Sequence, residues 1–312
     1  MKIGLDIMGG DFAPQATVIG AIAANKSFQA GQKLVLIGDK NIALEIINEQ
    51  GANPDDFEFV DTTEVIGMGE HPTKAITQKQ DSSIAVGFKL LKSGEIAAFS
   101  SAGNSGAMLV GAMFSVKAIP GVLRPAITCV IPKLKEGIGI LIDVGANADC
   151  KPEFLVQFGI LGSLFAQYVY DVKNPRVALM NIGEEEEKGN MLSLAAFPLL
   201  KENKHINFVG NVEGRDLFSE SSDVIVCDGF TGNIILKLAE SFYAVSLKRK
   251  IKDEFFDKFN YEKAGGSPIL GVNAPVVVGH GISTPEAIKN MVFLSKQMVE
   301  SNLVEKVKQA FQ

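Results

Sequence analysis

The chain has 312 residues, 46% of them hydrophobic and 21% charged, with a formal net charge of −6. That balance supports a large buried core and excludes a disordered chain. The acidic total excludes a general nucleic-acid binder, which needs a basic surface. Three widely spaced cysteines, Cys129, Cys150 and Cys227, form neither a disulfide framework nor a metal knuckle and read as structural thiols in a reducing compartment. The amino terminus runs straight into a strand, without the basic and apolar regions of a secretory signal. No apolar run reaches the ~20 residues of a membrane-spanning helix. The expectation is a cytoplasmic protein with at most peripheral membrane contact.

Strand and helix patterns alternate nearly throughout, which points to a parallel-sheet α/β architecture. Residues 2–7 read as a first strand ending in Met8-Gly-Gly-Asp11, and Pro14 suits the first turn of a helix to about Lys26. A second strand at 33–37 is followed by a helix over 42–49, and 57–60 is a third strand. A loop at 67–72 precedes a helix over 82–92 and a strand at 96–99. The glycine-rich stretch Ser100-Ser-Ala-Gly-Asn-Ser-Gly-Ala107 then opens a buried helix over 108–114. Strand, glycine-rich turn and helix together aim free backbone N–H groups at an anion.

Runs 126–132 and 139–144 are further strands. Residues 153–169 are apolar on every side, which places that helix in a buried position, here assigned to a subunit interface. Strands at 176–182, 207–209 and 224–227 follow. Gly229-Phe-Thr-Gly-Asn233 reads as a second glycine-rich turn, with a long helix from about Asn233. A Gly265-Gly-Ser-Pro268 loop, a strand at 275–278 and a carboxyl-terminal helix from Pro285 complete the chain. Without a linker, low-complexity tract or repeat, residues 1–312 read as a single α/β unit with an amphipathic helical excursion at about 240–265.

In open α/β sheets ligands bind beyond the carboxyl ends of the strands. Five such ends carry Gly with Asp or Asn: Asp6 with Gly9-Gly10-Asp11, Ser101–Gly106, Asp143–Asn147, Asn181–Gly189, and Asp228–Asn233. There is no G-x-x-x-x-G-K-[ST] phosphate loop, no G-x-G-x-x-G after the first strand and no G-x-S-x-G elbow. The three histidines, His71, His205 and His280, do not follow strands as a serine triad requires. Asp6, Asp11, Asp143 and Asp228 could hold Mg²⁺, but turn and helix capping is the plainer reading. What remains is a site of backbone N–H groups, Asn amides, hydroxyls and a few cations. That set suits attack by phosphate on a thioester. Phosphate needs no strong base near pH 7, and a leaving thiol with a pKa of about 8.5 needs little acid help. The demand is then to hold and align two anions, phosphate and the tetrahedral oxyanion.

The motifs Asp6-Ile-Met-Gly-Gly-Asp11, Ser101-Ala-Gly-Asn-Ser-Gly-Ala107, Arg124-Pro-Ala126, Asp143-Val-Gly-Ala-Asn147, Asn181-Ile-Gly-Glu-Glu-Glu186 with Lys188-Gly189, and Cys227-Asp-Gly-Phe-Thr-Gly-Asn233 stand in one order from the amino terminus to about Gly281. Together they resemble the bacterial phosphate acyltransferase family, acyl-acyl carrier protein:phosphate acyltransferases of the PlsX type. Ser105 stands where that family usually has Thr, and Thr77 where Arg is common. The resemblance implies a three-layer α/β/α fold with a largely parallel mixed sheet, like isocitrate and isopropylmalate dehydrogenases, and a homodimer. It also implies transfer of a fatty acyl group from acyl carrier protein to inorganic phosphate, giving acyl phosphate for phospholipid synthesis; no cofactor is expected and no residue is assigned to a metal. A membrane-bound, acyl-phosphate-using acyltransferase would be a further partner.

Carried onto this chain, the resemblance makes Lys188 and Asn233 the catalytic pair. Lys188 would neutralise phosphate or oxyanion, and Asn233 would donate to the thioester carbonyl. Gly103, Asn104, Ser105 and Gly106 would cradle phosphate. Asp6, Gly10, Asp11, Asn147, Asn181 and Gly232 would shape the floor, with Arg124 as a further anion contact. Lys248, Arg249, Lys250 and Lys252 form a basic cluster, and Ile251, Phe255 and Phe259 recur at helical spacing of four. That surface would meet anionic lipid or an acidic carrier protein. The alternatives are a nicotinamide-dependent decarboxylating dehydrogenase or phosphotransacetylase-like enzyme on the same fold, and a non-enzymatic lipid- or carrier-binding module.

Overall fold

Apolar runs fold as strands joined by helices throughout this computed structural model, which describes residues 1–312 apart from the side chain of Tyr261. Near the amino terminus come β1 (Lys2–Asp6), α1 (Gln15–Asn25), β2 (Lys33–Gly38), α2 (Lys40–Glu49) and β3 (Phe57–Asp61). Next are α3 (Pro72–Gln78), α4 (Ser83–Ser93), β4 (Ala98–Ser101) and α5 (Ser105–Gly111), which widens into a π-helical turn over Ala112–Val116. The middle of the chain forms β5 (Ala126–Pro132), β6 (Ile138–Ile142), α6 (Pro152–Val169), β7 (Arg176–Met180), α7 (Met191–Glu202), β8 (Asn207–Val212) and β9 (Val224–Val226). After α8 (Gly229–Arg249), α9 (Glu254–Asp257) and α10 (Tyr261–Ala264) come β10 (Ser267–Leu270), β11 (Val276–Val278), α11 (Pro285–Glu300) and α12 (Leu303–Ala310).

The contacts group into two compact units, Met1–Lys117 with Tyr261–Glu300, and Ala118–Asn260 with Ser301–Gln312. In the first, β3, β2, β1, β4 and β11 pair in that order, all parallel, and β10 runs antiparallel to β11. In the second, β6, β9, β7 and β8 pair parallel, and β5 runs antiparallel to β6. Each is a mostly parallel mixed sheet flanked by helices, the α/β class expected from the alternation. Covering both faces explains why the strands lack polar alternation. In β2, Leu34, Val35, Leu36 and Ile37 are all buried. The single unit expected from the sequence contained no linker, and none marks this division. The crossings at 117–118, 260–261 and 300–301 carry no change of composition.

Several elements differ from expectation for identifiable reasons. The greasy helix α6 was assigned to a subunit interface, but its own unit covers it. Leu155, Phe158, Leu161 and Phe165 are buried against β6, β7, β9, α7 and α12. An apolar circumference reports burial without naming what does the burying. The long helix α8 starts at Gly229, four residues early, because the Asp228 carboxylate accepts from the Thr231 N–H and hydroxyl, each at 2.8 Å, and so acts as N-cap. Strand β4 extends two residues into the glycine-rich stretch. α3, α7 and β10 were not anticipated: Pro198 interrupts the pattern of α7, and Gly265-Gly-Ser-Pro268 has the composition of a loop. The carboxyl-terminal helix is two helices, broken at Asn302 with φ 55°.

Candidate active site

In the first unit the carboxyl ends of β1 and β4 meet through Asp6 and Ser101, both fully buried. The Ser101 hydroxyl donates to Asp6 Oδ2 at 2.6 Å, and the Met8 N–H donates to Oδ1 at 2.8 Å. Burial pushes the Asp6 carboxyl pKa above its ordinary 3.8, against the pull of these hydrogen bonds. The close approach explains Gly9: a Cβ there would lie 2.5 Å from Asp6 Oδ2 and 2.6 Å from the Gly103 nitrogen. Gly10 follows, and exposed Asp11 donates its N–H to the Gly281 carbonyl at 2.7 Å.

The phosphate cradle expected at 103–106 is smaller than its motif. The Gly103 N–H is occupied by Ser101 Oγ at 2.9 Å. Asn104 is buried, and its amide holds the carbonyls of Gly67, Met68 and Glu70 at 3.0–3.2 Å, while its oxygen caps α5 through the Ala107 N–H at 3.0 Å. Asn104 therefore clamps the 67–70 loop and is not a free donor. The N–H groups of Ser105 and Gly106, in the first turn of α5, have no intrahelical acceptor, and the Ser105 side chain is exposed.

In the second unit Asp143, fully buried at the end of β6, is the corresponding node. Its Oδ1 accepts from the N–H groups of Ile127, Gly145 and Ala146 at 3.0–3.2 Å. Its Oδ2 accepts from the Asn147 N–H at 2.7 Å and the Asn147 amide at 2.9 Å. Burial raises its carboxyl pKa, while these donors oppose the shift. The Asn147 amide also donates to the Pro125 carbonyl at 2.9 Å, so Asn147 ties Arg124-Pro-Ala126 to this loop and offers no donor to a ligand. Gly232 lies so close beneath that a Cβ would sit 1.9 Å from the Asp143 carbonyl oxygen. Asn233, one turn into α8, lies beside Gly145, and among the described residues its amide has no hydrogen-bond partner.

At the end of β7, Asn181 folds the acidic loop. Its Oδ1 accepts the Ile182 N–H at 2.9 Å, and its amide donates to the Lys188 carbonyl at 3.0 Å. Asn181 thus positions Lys188, whose exposed ammonium makes no ion pair among the described residues despite four neighbouring glutamates. Arg124 is likewise exposed. The three thiols are poor nucleophiles: burial pushes the Cys150 pKa up to about 12 and raises those of Cys129 and Cys227 well above the ordinary thiol value. Sequence reasoning missed the structural roles of Ser101, seen only as a motif member, and of Asp143, weighed only as a Mg²⁺ ligand or a cap. The signal was their position where an apolar run gives way to a loop: Ser101 is the last residue of β4 and Asp143 directly follows β6.

The amphipathic excursion divides. Lys248, Arg249, Lys250 and Lys252 are exposed, as expected of a contact surface. Phe255 and Phe259 are not part of it. They turn inward and pack edge-to-face on Phe218, with centroids 5.7 and 5.0 Å away, and Phe242 lies 5.5 Å from Phe259. The continuous helix that the spacing of four assumed is not formed: α8 ends at Arg249 with Lys250 at φ 55°, and α9 covers only Glu254–Asp257, so Phe259 lies beyond it. The exposed apolar groups nearby are Val245, Leu247 and Ile251. Among the described residues, no helix is long and apolar enough to cross a membrane.

A family model described as "Fatty acid synthesis protein" matches residues 1–306. The chain is 45% identical over 334 aligned positions to a protein named phosphate acyltransferase from Endomicrobium trichonymphae, covering 99% of this chain and 97% of that one. A protein of the same name from Dictyoglomus turgidum is 41% identical, covering 98% and 96%. Among solved structures, a phosphotransacetylase from Streptococcus pyogenes superposes with a TM-score of 0.67 at 15% identity, covering 96% of this chain and 94% of the other. A 4-hydroxythreonine-4-phosphate dehydrogenase from Klebsiella pneumoniae does so with a TM-score of 0.61 at 14% identity, covering 96% and 99%. At these identities the structural likeness concerns the fold alone.

Proposed function

Because the chain belongs to the phosphate acyltransferase family, we propose that it moves a fatty acyl group from acyl-acyl carrier protein to inorganic phosphate, supplying acyl phosphate for phospholipid synthesis. The observation that carries the residue assignment is the contrast between occupied and free donors. Asn104, Asn147 and Asn181 commit their amides to the protein, whereas the Lys188 ammonium and the Asn233 amide remain available.

In this reading a phosphate oxygen attacks the thioester carbon, the carbon–sulfur bond breaks, and the proton of monohydrogen phosphate passes to the departing thiolate. The products are acyl phosphate and free carrier-protein thiol. Asn233 donates to the carbonyl oxygen as it becomes an oxyanion, and Lys188 offsets the negative charge of phosphate and oxyanion. Within the second unit Arg124 adds a cation, and Asn147, Asn181 and Gly232 shape the loops that carry these donors. Taken by itself, the first unit offers phosphate the N–H groups of Ser105 and Gly106, on loops shaped by Asp6, Gly10 and Asp11. Raised thiol pKa values support direct attack over an acyl-cysteine intermediate.

Two contacts complete the proposal. A homodimer is supported by an exposed apolar stripe on α8, where Phe230, Ile234 and Leu238 recur at helical spacing with 63%, 51% and 60% of their surface exposed. Peripheral membrane or carrier-protein contact is supported by the exposed Lys248, Arg249, Lys250 and Lys252 with Leu247 and Ile251. The decisive assay incubates the protein with acyl-acyl carrier protein and phosphate and follows acyl phosphate as its hydroxamate. Phosphate-dependent product with sequential initial-rate kinetics is expected. No phosphate-dependent product sinks the proposal.

A further inference from the structure

A cavity of about 390 Å³ lies wholly within the second unit, between β7, α6, α7 and the start of α8. Its walls include Leu155, Leu179, Met180, Ile182, Leu192 and Ile235. Leu155 and Leu179 are buried, and they form an apolar floor. No lysine or arginine is among the described residues lining it. Its one charged group, Asp228, has both oxygens engaged by Thr231 at the start of α8. An anion would meet a carboxylate there without a counter-charge, so phosphate is a poor occupant. An uncharged chain is a good one.

The cavity adjoins the two segments that carry the proposed donors. Gly189 and Asn190, which follow Lys188, line one side, and Thr231 and Ile235, which flank Asn233 in α8, line another. A wider hollow of about 790 Å³ shares Asn190, Leu192, Asp228 and Thr231 with it and adds Met191 and Phe230, 88% and 63% exposed. The two hollows therefore join beside Leu192, with polar Asn190, Asp228 and Thr231 along the junction, and lead from an exposed rim to a buried apolar floor.

We infer that this cavity holds the acyl chain of the thioester substrate, and that Ile235 and Leu192 limit the chain length accepted. The inference rests on the acyl-transfer reading above. A methylene is about the size of a water, whose share of liquid volume is about 30 Å³, so the cavity takes on the order of a dozen carbons. Longer chains would extend along Met191 towards the rim.

The test measures kcat/KM for the full chain with carrier protein bearing butanoyl, octanoyl, dodecanoyl and hexadecanoyl groups, in the wild type, Ile235→Phe and Leu192→Phe. Circular dichroism and thermal melting verify folding, and displacement of a fluorescent fatty acid by dodecanoate gives a binding readout independent of turnover. Either filling variant should lower kcat/KM for the two longer chains on the order of tenfold or more, leave butanoyl within about twofold, and weaken dodecanoate binding. A folded pair of variants with unchanged chain-length profile and unchanged dodecanoate binding overturns the inference. Wild-type protein that makes no acyl phosphate from any chain defeats the acyl-transfer reading instead, while dodecanoate displacement still decides whether the cavity takes a chain.

Discussion

Ser101 and Asp6, 95 residues apart in sequence, join the ends of two parallel strands through a hydroxyl–carboxylate hydrogen bond of 2.6 Å in which both side chains are buried. The same hydroxyl oxygen accepts the Gly103 N–H at 2.9 Å, so one serine fixes both the strand end and the entry to the glycine-rich turn.

Ser101→Ala should therefore destabilise the protein by about 1–3 kcal/mol, the cost of a buried acceptor left without its donor. The loss should depend on pH. Asp6 has a folded pKa raised above 3.8, so its favourable contribution is complete below 3.8 and is lost as pH rises through the raised value. Removing a donor raises that pKa further, and the gap between variant and wild type should widen from pH 3.8 towards neutrality. Urea denaturation at a series of pH values measures this. A gap that narrows with rising pH would show that the bond does not serve the ionised form.

Gly232→Ala should prevent folding or cost more than the ~1–3 kcal/mol typical of overpacking, because the added Cβ would lie 1.9 Å from a backbone oxygen that cannot step aside. Gly214→Ala, where nothing lies within 4 Å of the added atom, is the matched control and should stay within about 0.5 kcal/mol of wild type. Soluble yield and thermal midpoint report both.

The alternation of strand and helix was legible because buried parallel strands write themselves as unbroken apolar runs, as in Leu34–Ile37. The placing of the polar glycine-rich loops at the carboxyl ends of such strands was legible too, as at Asp6, the last residue of β1, and Asp143 after β6. What composition could not convey is which donors are already taken. Asn104 reads as a ligand-facing amide until its bonds to Gly67, Met68 and Glu70, more than thirty residues away, are seen. Asn147 and Asn181 have the same history over shorter spans. The turn expected at Gly229–Asn233 failed because Asp228 caps a helix that already begins at Gly229, and Gly232 is a helical residue kept small by the sequence-remote Asp143 carbonyl. Phe255 and Phe259 failed because the helix breaks between Lys250 and Glu254 and both rings gather on Phe218, which lies over thirty residues earlier.

Asp223 predicts an acid-side transition. It accepts from Lys133 Nζ at 2.6 Å and from Arg176 Nε at 2.9 Å and Nη2 at 3.0 Å, with Lys133 almost wholly buried. Burial favours its neutral form, but the hydrogen bonds from Arg176 and Lys133 prevail and hold its pKa well below 3.8. A depressed carboxyl pKa stabilises fully above 3.8 and loses that contribution as pH falls through the depressed value. Asp223→Asn should cost about 3–5 kcal/mol at neutral pH by leaving a buried ammonium without its counter-charge. The difference from wild type should shrink as pH is lowered beneath 3.8. Denaturation midpoints followed by circular dichroism give the comparison, and a difference independent of pH would remove Asp223 from the acid response.

Lys188 offers the sharpest separation of chemistry from folding. Its ammonium is exposed and makes no ion pair among the described residues, so Lys188→Ala should leave the thermal midpoint unchanged. Turnover of acyl-acyl carrier protein with phosphate should nevertheless fall on the order of 10²-fold or more, as for loss of an oxyanion-type donor. Lys188→Arg keeps the charge and should recover part of that loss. Asn181→Ala removes the side chain that holds the Lys188 carbonyl at 3.0 Å, and should give a smaller fall in kcat with the lysine still present. Steady-state kinetics on the three variants decide the matter: near wild-type turnover in Lys188→Ala would leave this lysine as a solvated neighbour of Glu184–Glu187, and the catalytic cation would have to be sought elsewhere, beginning with Arg124.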